Sequence, residues 1–274
     1  MSRRRRSRQA DGTSLAGRIG RRRLVVALIA APLVLIALAA GVLYAAFGDG
    51  SSEARTAVIV DQLSLTVPNK DFSTAVTRTL RSAGYDVDYV PGDEVNVDFY
   101  RDLPSRGYDI IIMRVHAGIT QEVDDVAGSV TRTEYVSLFT GEPYSEERYV
   151  QEQNEGQLGK AEYYEGADPL FGISPRFITS AMRGNFDGAL VVMMGCDGLR
   201  STHTAEAFIE RGVKTFVSWS RPVTAPHTDA ATQRLLQELL VKGLSVEDAV
   251  KETMATVGPD PQEGAELRFV TDEG

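Results

Sequence analysis

The sequence predicts an α/β domain built on a mostly parallel sheet with helices on both faces. Short apolar runs rich in β-branched residues, such as 56–61 (TAVIVD) and 108–115 (YDIIIMRV), alternate with amphipathic segments of helical period. Because these runs are apolar on both faces and are separated by helices, they are typical of buried parallel strands in a three-layer arrangement.

The elements follow one another at regular intervals along the chain. Residues 70–83 are predicted to be helical, since Phe72, Val76 and Leu80 share one face and Gly84 can end the helix. The other predicted helices are 201–211, a segment near 228–241 and 245–256, with a short helix or turn at 96–104. The predicted strands are 56–61, 87–90, 108–115, 188–195, 213–219 and an edge strand at 266–270. The strongly apolar strands 108–115 and 188–195 are expected at the centre of the sheet.

One segment, residues 119–173, interrupts this alternation and is too long for a plain connection in a compact domain. It contains alternating aromatic pieces at 135–139 and 148–150, on either side of Gly141 and Pro143. The pattern predicts β-hairpins inserted over one end of the sheet, within a domain that covers residues 56–274.

The N-terminal region has the composition of a membrane anchor. Residues 1–23 carry nine arginines and a single acid, Asp11, and residues 24–47 carry no charge at all. Twenty-four helical residues span roughly 36 Å, enough for a hydrocarbon core of about 30 Å even with a kink at Pro32. We expect a single-pass cell-membrane protein with a cytoplasmic tail at 1–23, a transmembrane helix at 24–47 and a linker at 48–55. The arginines on one flank, with Asp49 and Glu53 on the other, predict that the domain is extracytoplasmic.

A cleaved signal peptide is the alternative for this region, and the sequence around Arg22 even resembles a twin-arginine signal. Against it, the apolar run exceeds the 7–15 residues usual in such signals, and residues 45–47 (AAF) make an indifferent cleavage site.

Charge excludes one class of partner. Without the nine arginines and one acid of the tail, the chain's 29 basic and 38 acidic side chains become 20 and 37, a net charge of −17 for the rest. A domain this acidic repels nucleic acid, so the tail arginines are a topology signal and not a DNA-binding patch.

The residues that follow the predicted strands are the candidates for chemistry, because ligands bind beyond the carboxyl ends of strands in open parallel sheets. His116 follows the third strand and Cys196, the chain's one cysteine, follows the fourth. If these strands are neighbours, about 4.8 Å apart, the imidazole and the thiol emerge side by side. That pairing suits nucleophilic catalysis, and it is expected to lower the pKa of Cys196 below about 8.5. The turn 195–198 leads into the predicted helix 201–211, so we also expect backbone N–H groups at this turn to stabilise an oxyanion.

The order strand–His-x-Gly, strand–Gly-Cys-x-Gly, helix, then a strand ending Ser-Trp-Ser-Arg, resembles the caspase-like cysteine peptidases of clan CD. Residues 191–256 look most like the CHAT-domain and gingipain members. The resemblance covers roughly residues 56–256 and rests on short motifs in a shared order. It implies a caspase-like, flavodoxin-like sheet and a peptidase that acts on a protein or peptide without a cofactor.

The resemblance also assigns roles to individual residues. His116 and Cys196 match the catalytic dyad. An oxyanion site is implied at Ala117 and Gly118 on one side and at Gly195 and Cys196 on the other, although the family's His-Gly is His-Ala-Gly here. The implied substrate-binding residues are Asp61, Asp197, Trp219 and Arg221.

Two specificities are open at this point. Asp61 occupies the position at which relatives that cleave after Arg or Lys carry an acid, and Trp219 matches the residues that wall their pocket. We therefore expect cleavage after basic residues, while Arg221 is the basic candidate for a pocket that accepts Asp.

Other functions remain open or are disfavoured. The domain is alternatively a catalytically inactive caspase-like module that binds a peptide or partner, or a plain α/β ligand-binding domain whose Cys and His are coincidental. A zinc site from His116, Cys196, His203 and His227 lacks metal-ligand spacing, and neither a phosphate loop nor a dinucleotide fingerprint is present.

Overall fold

The computed structural model describes residues 54–126 and 129–272. The strands are β1 (Thr56–Asp61), β2 (Asp86–Pro91), β3 (Ile110–Arg114), β4 (Ala117–Val126), β5 (Ser129–Pro143), β6 (Leu158–Ala161), β7 (Leu170–Ile173), β8 (Leu190–Met193), β9 (Thr215–Trp219) and β10 (Leu267–Thr271). The helices are α1 (Lys70–Ser82), α2 (Val97–Asp102), α3 (Val150–Asn154), α4 (Pro175–Ser180), α5 (His203–Glu210), α6 (Ala225–Leu236) and α7 (Val246–Val257). Short 3-10 turns occupy Gln62–Leu65 and Pro104–Arg106, and a π-helical turn, Gln237–Val241, continues α6.

The main sheet has the strand order β10-β9-β8-β3-β1-β2. Its pairings are parallel except for the edge pair β10 and β9. Both the central position of β3 and β8 and the edge position of β10 confirm the prediction from hydrophobicity. Central strands are covered on both faces, which is why they contain nearly continuous apolar runs.

Each face of the main sheet contributes to a separate hydrophobic core. Alternate residues of the strands point to opposite faces, so Ile111 and Val191 lie in one core while Ile112 and Val192 lie in the other. Helix α1 buries Phe72, Val76 and Leu80 in the second core, and helices α4 and α5 bury Phe177 and Phe208 in the first. The structure is therefore a mixed α/β fold with a mostly parallel sheet flanked by helices.

Helix α1 shows how local sequence sets an element's limits. The Asn69 side chain accepts a hydrogen bond from the Phe72 N–H at 3.1 Å and so caps one of the unpaired N–H groups of the first turn. At the other end Gly84, with φ +88°, takes the left-handed conformation that a helix terminus favours.

The segment that interrupts the alternation contains a second, antiparallel sheet with the order β4-β5-β7-β6. Its first strand begins at Ala117, three residues after β3 ends, so the second sheet joins the main sheet at a carboxyl end. Two short helices, α3 and α4, occur where the sequence analysis predicted none. Helix α4 is marked by the Ser174 cap and by Pro175 at its first position, but six residues are too few for a periodic pattern.

Within residues 54–126 and 129–272, no helix combines the length and the apolar composition that crossing a bilayer requires. The predicted tail at 1–23 and transmembrane helix at 24–47 lie outside the described residues, as does the linker apart from residues 54 and 55.

Candidate active site

His116 and Cys196 follow two neighbouring strands in matching register. Met113 of β3 pairs with Met193 of β8, and the Met194 N–H donates to the Met113 carbonyl at 2.8 Å. His116 stands three residues beyond Met113, and Cys196 stands three residues beyond Met193. The carboxyl edge of the main sheet thus brings the predicted pair to adjacent chain ends.

Two glycines permit the close approach of these chain ends. A Cβ on Gly195 would lie 2.5 Å from the Val115 carbonyl oxygen, so any larger residue would push β3 and the Cys196 turn apart. A Cβ on Gly198 would lie 2.0 Å from the hydroxyl of Ser218 in β9, which itself donates to the Met193 carbonyl at 2.7 Å. The turn around Cys196 therefore packs closely between the end of β3 on one side and β9 on the other.

The Cys196 thiol is partly buried and contacts the backbone of Val223. The sulfur donates to the Val223 carbonyl at 3.6 Å and accepts from the Val223 N–H at 3.5 Å. Burial raises the pKa of the thiol, and the negative charges of Asp197, Glu263 and Asp260 raise it further, against a smaller lowering by Val223. The prediction of a lowered Cys196 pKa is wrong for this arrangement, because burial and the neighbouring carboxylates both disfavour the charged thiolate.

Helix α5, which follows the Cys196 turn, begins at His203, two residues after its predicted start at 201 and seven residues after Cys196. The thiol bonds to the backbone of Val223 and not to the first turn of this helix. The intervening turn is held by backbone bonds instead, with the Asp197 N–H donating to the Arg221 carbonyl at 3.0 Å. Asp197 itself is buried and has φ +60°, and burial raises the pKa of its carboxyl.

The His116 imidazole has partners of its own. Its Nε2 lies 2.9 Å from the Thr66 hydroxyl, and its backbone N–H donates to Gln62 at 2.9 Å. Burial, with the charge of Arg114 as a second cause, lowers the pKa of the imidazole, which keeps it neutral and able to accept a proton. Among the hydrogen bonds of residues 54–126 and 129–272, none joins the His116 ring to the Cys196 sulfur.

The four predicted oxyanion donors differ in availability. The Gly195 N–H donates to the Met193 sulfur at 3.0 Å and faces inward. The Phe139 N–H donates to the His116 carbonyl, and these two residues are opposite each other in the register of β4 and β5. Because hydrogen-bonded and non-hydrogen-bonded pairs alternate in an antiparallel ladder, the Gly118 N–H points toward β5 and the Ala117 N–H points away from it.

The N–H of Cys196 has no acceptor in the part of the chain that the structure describes. Ala117 and Cys196 are thus the two remaining donors.

Asp61 does not face an open groove. It is 1% exposed, and its carboxylate accepts from the Arg114 guanidinium at 2.9 Å and from the Tyr89 hydroxyl at 2.9 Å. Burial and the bond to Asp61 raise the pKa of Tyr89 to about 12. Arg114, 0% exposed, also binds Asp229 at 2.8 and 3.0 Å. Asp61 is therefore part of a buried ion network, and the reason for placing it in a substrate pocket is removed.

Trp219 is buried as well. It is 1% exposed, and its indole N–H donates to the Thr228 hydroxyl at 2.8 Å. The ring lies in the core beneath α6 and does not wall an open pocket.

Arg221 differs from Trp219, because it is exposed and its side chain has no partner among the described residues. It lines a cavity of about 520 Å³ beside the Cys196 turn. The other lining residues are Arg200, Ser220, Pro222, Glu263 and Arg268.

The chain matches no protein-family model and no curated protein.

Sequence reasoning missed the residues that surround His116. Gln62 and Thr66 follow β1, whose carboxyl end lies at the same sheet edge, so they belonged with Asp61 among the candidates. Arg114 was also signalled, since a charge within an apolar strand requires buried partners. Tyr163, whose ring packs against the His116 ring with the planes at 57°, carries no sequence signal. Within the described ranges, no group of three or more metal-ligating side chains occurs.

Proposed function

We propose that the domain is a cysteine peptidase of the caspase-like kind, with Cys196 as nucleophile and His116 as general base. The observation that supports the proposal is the matching register of β3 and β8, since His116 and Cys196 each stand three residues beyond the pair Met113 and Met193. A thiol needs a base close by to become a thiolate, and His116, which follows the neighbouring strand, is the base that this arrangement offers.

The reaction follows from the available groups. The thiol proton passes to His116 as the sulfur bonds to the substrate carbonyl carbon. The N–H groups of Ala117 and Cys196 stabilise the resulting oxyanion. His116 then protonates the amine as the carbon–nitrogen bond breaks, and water hydrolyses the thioester.

The thiol must first leave the backbone of Val223. Rotation about the Cα–Cβ bond of Cys196 is the smallest change that does this, because side chains move between staggered rotamers without backbone shifts. We propose that binding of the substrate to the turn drives this rotation, and that the arrangement described above is the resting state.

For specificity, the cavity beside Cys196 supports an acidic side chain over a basic one. Three arginines and one glutamate line it, and the Arg221 guanidinium has no partner in the described residues. Arg200 and Arg268 are partly neutralised by Glu134 at 3.1 Å and by Glu266 at 2.9 Å. Arg221 is accordingly the residue proposed to bind the substrate's carboxylate.

The test of the peptidase is hydrolysis of a peptide library by the full-length chain in detergent micelles. We expect cleavage that is abolished in Cys196→Ala and in His116→Ala and is unchanged in His203→Ala, the matched control on α5. The Arg221→Ala variant should lose the preference for acidic residues. Cleavage that survives Cys196→Ala, or a complete lack of hydrolysis by the wild-type chain, contradicts the proposal.

An inactive peptide-binding module is the second candidate, favoured by the raised pKa of Cys196 and by the absence of a thiol–imidazole bond among the described residues. In that case the wild-type chain and Cys196→Ala bind the same acidic peptides with equal affinity, and neither cleaves them.

We further propose that residues 24–47 anchor the domain to the cell membrane with the N-terminus in the cytoplasm. Protease added to spheroplasts should then digest the domain. A protected domain, or a mature N-terminus just after residue 46, contradicts the anchor.

A further inference from the structure

One buried side chain, Gln62, joins the end of β1 to three other parts of the domain. Its Oε1 accepts the backbone N–H of His116 at 2.9 Å. Its Nε2 donates to the Thr140 carbonyl at 3.2 Å and to the Tyr163 hydroxyl at 2.8 Å. Gln62 is 0% exposed, and both its amide oxygen and its amide nitrogen are bonded. A buried amide bonded in this way is held in one orientation, because turning it would leave polar groups unpaired.

The hydrogen bond from Gln62 holds the Tyr163 ring against the His116 imidazole. The two ring centroids are 4.5 Å apart with planes at 57°, and the Phe139 ring lies 5.7 Å from Tyr163 and 6.1 Å from His116. The Thr66 hydroxyl engages Nε2 of His116. In the tautomer whose Nε2–H donates to Thr66, the other ring nitrogen, Nδ1, is unprotonated, has no partner among the described residues and can take a proton.

We infer that Gln62 and Tyr163 are positioning residues that hold the His116 ring with Nδ1 free and keep water from its face. The inference rests on the proposed function and adds to it a contribution from the second sheet, since Tyr163 belongs to the segment between β6 and β7. A general base is effective only within hydrogen-bond reach of the proton that it removes, so the ring orientation decides the rate.

The electrostatic surroundings of His116 are consistent with this role. Burial is the largest cause of its lowered pKa, and the charge of Arg114 is the second. The Tyr163 hydroxyl also faces this cluster, and burial raises its pKa, so it stays neutral. Loss of the Tyr163 ring would admit water to the His116 ring and reduce its burial. Because burial is what lowers the pKa of His116 most, that pKa would then rise.

The test is histidine titration by NMR in the full-length chain in detergent micelles. The chain has three histidines, so ¹³C-histidine labelling gives three ring signals, and the signal absent from His116→Gln identifies His116. In Tyr163→Ala we expect the His116 midpoint to rise toward about 6.5, the value of a solvated imidazole. Tyr164→Ala is the matched control, because the neighbouring Tyr164 is 72% exposed, and it should leave the midpoint in place.

Tyr163→Phe keeps the ring and removes only the acceptor for Gln62, so it covers the case in which Tyr163→Ala does not fold. We expect a smaller rise of the His116 midpoint and a lower kcat with an unchanged KM. A midpoint that stays at the wild-type value in every folded Tyr163 variant overturns the inference. Failure of the proposed function is a separate result, in which the midpoint rises as expected but the wild-type chain hydrolyses no peptide.

Discussion

The buried ion network around Arg114 gives the sharpest prediction for stability. The Arg114 guanidinium binds Asp61 at 2.9 Å, Asp229 at 2.8 and 3.0 Å, and the Val67 carbonyl at 2.9 Å, with all three charged side chains at most 5% exposed. Replacing it in Arg114→Met leaves two carboxylates buried without their cation. Breaking a buried ion pair from one side costs about 3–5 kcal/mol. For a domain of this size that corresponds to a fall in Tm of about 6–20 °C.

The assay uses the chain's single tryptophan, Trp219, which is 1% exposed and so reports unfolding of this domain through its emission. Arg183→Met is the control, because Arg183 and Asp102 form an ion pair at 2.9 Å whose side chains are 67% and 41% exposed. Exposed pairs of this kind contribute about 0–1 kcal/mol, so the control should barely move the Tm.

A triple variant tests the physical reason for the loss. Arg114→Met combined with Asp61→Asn and Asp229→Asn removes every charge of the network, so it should recover much of the stability that Arg114→Met alone loses. A Tm for Arg114→Met equal to wild type would refute the reasoning. So would an Asp61→Asn variant that keeps its Tm but changes substrate preference, since it would return Asp61 to the substrate site.

Three further predictions follow from the same geometry. Because burial raises the pKa of Cys196, iodoacetamide should label this thiol more slowly than a free thiol at pH 7, and the labelling rate should rise at alkaline pH. Labelling faster than that of a free thiol would contradict this and show an activated thiol. Gly198→Ala should lower the free energy of unfolding by about 1–3 kcal/mol, because its Cβ would overlap the Ser218 hydroxyl. Gly159→Ala is the control, since no atom lies within 4 Å of its new Cβ, and equal melting temperatures of the two variants would contradict the prediction. An acidic peptide should raise the Tm of wild type but not of Arg221→Ala, measured by Trp219 emission, and an equal rise in both would exclude Arg221 from binding.

Local pattern was sufficient for most of the fold. The run 56–61 became β1 with the predicted limits, and the face formed by Phe72, Val76 and Leu80 became the buried face of α1. Side-chain period, caps and glycines act over a few residues, so they can be read from the chain directly. The short helix α4 was missed because six residues hold too little of that period.

The chain by itself also determined which residues stand at the carboxyl edge of the main sheet, including His116 and Cys196, because a residue that follows a parallel strand must emerge there. What each of those side chains contacts was decided only by the tertiary structure. Asp61 meets Arg114, 53 residues away, and Gln62 meets Tyr163, 101 residues away. Contacts across such separations depend on how helices, loops and the second sheet close over the edge. The same closure desolvates the Cys196 thiol and raises its pKa, where the linear pattern had indicated a lowered one.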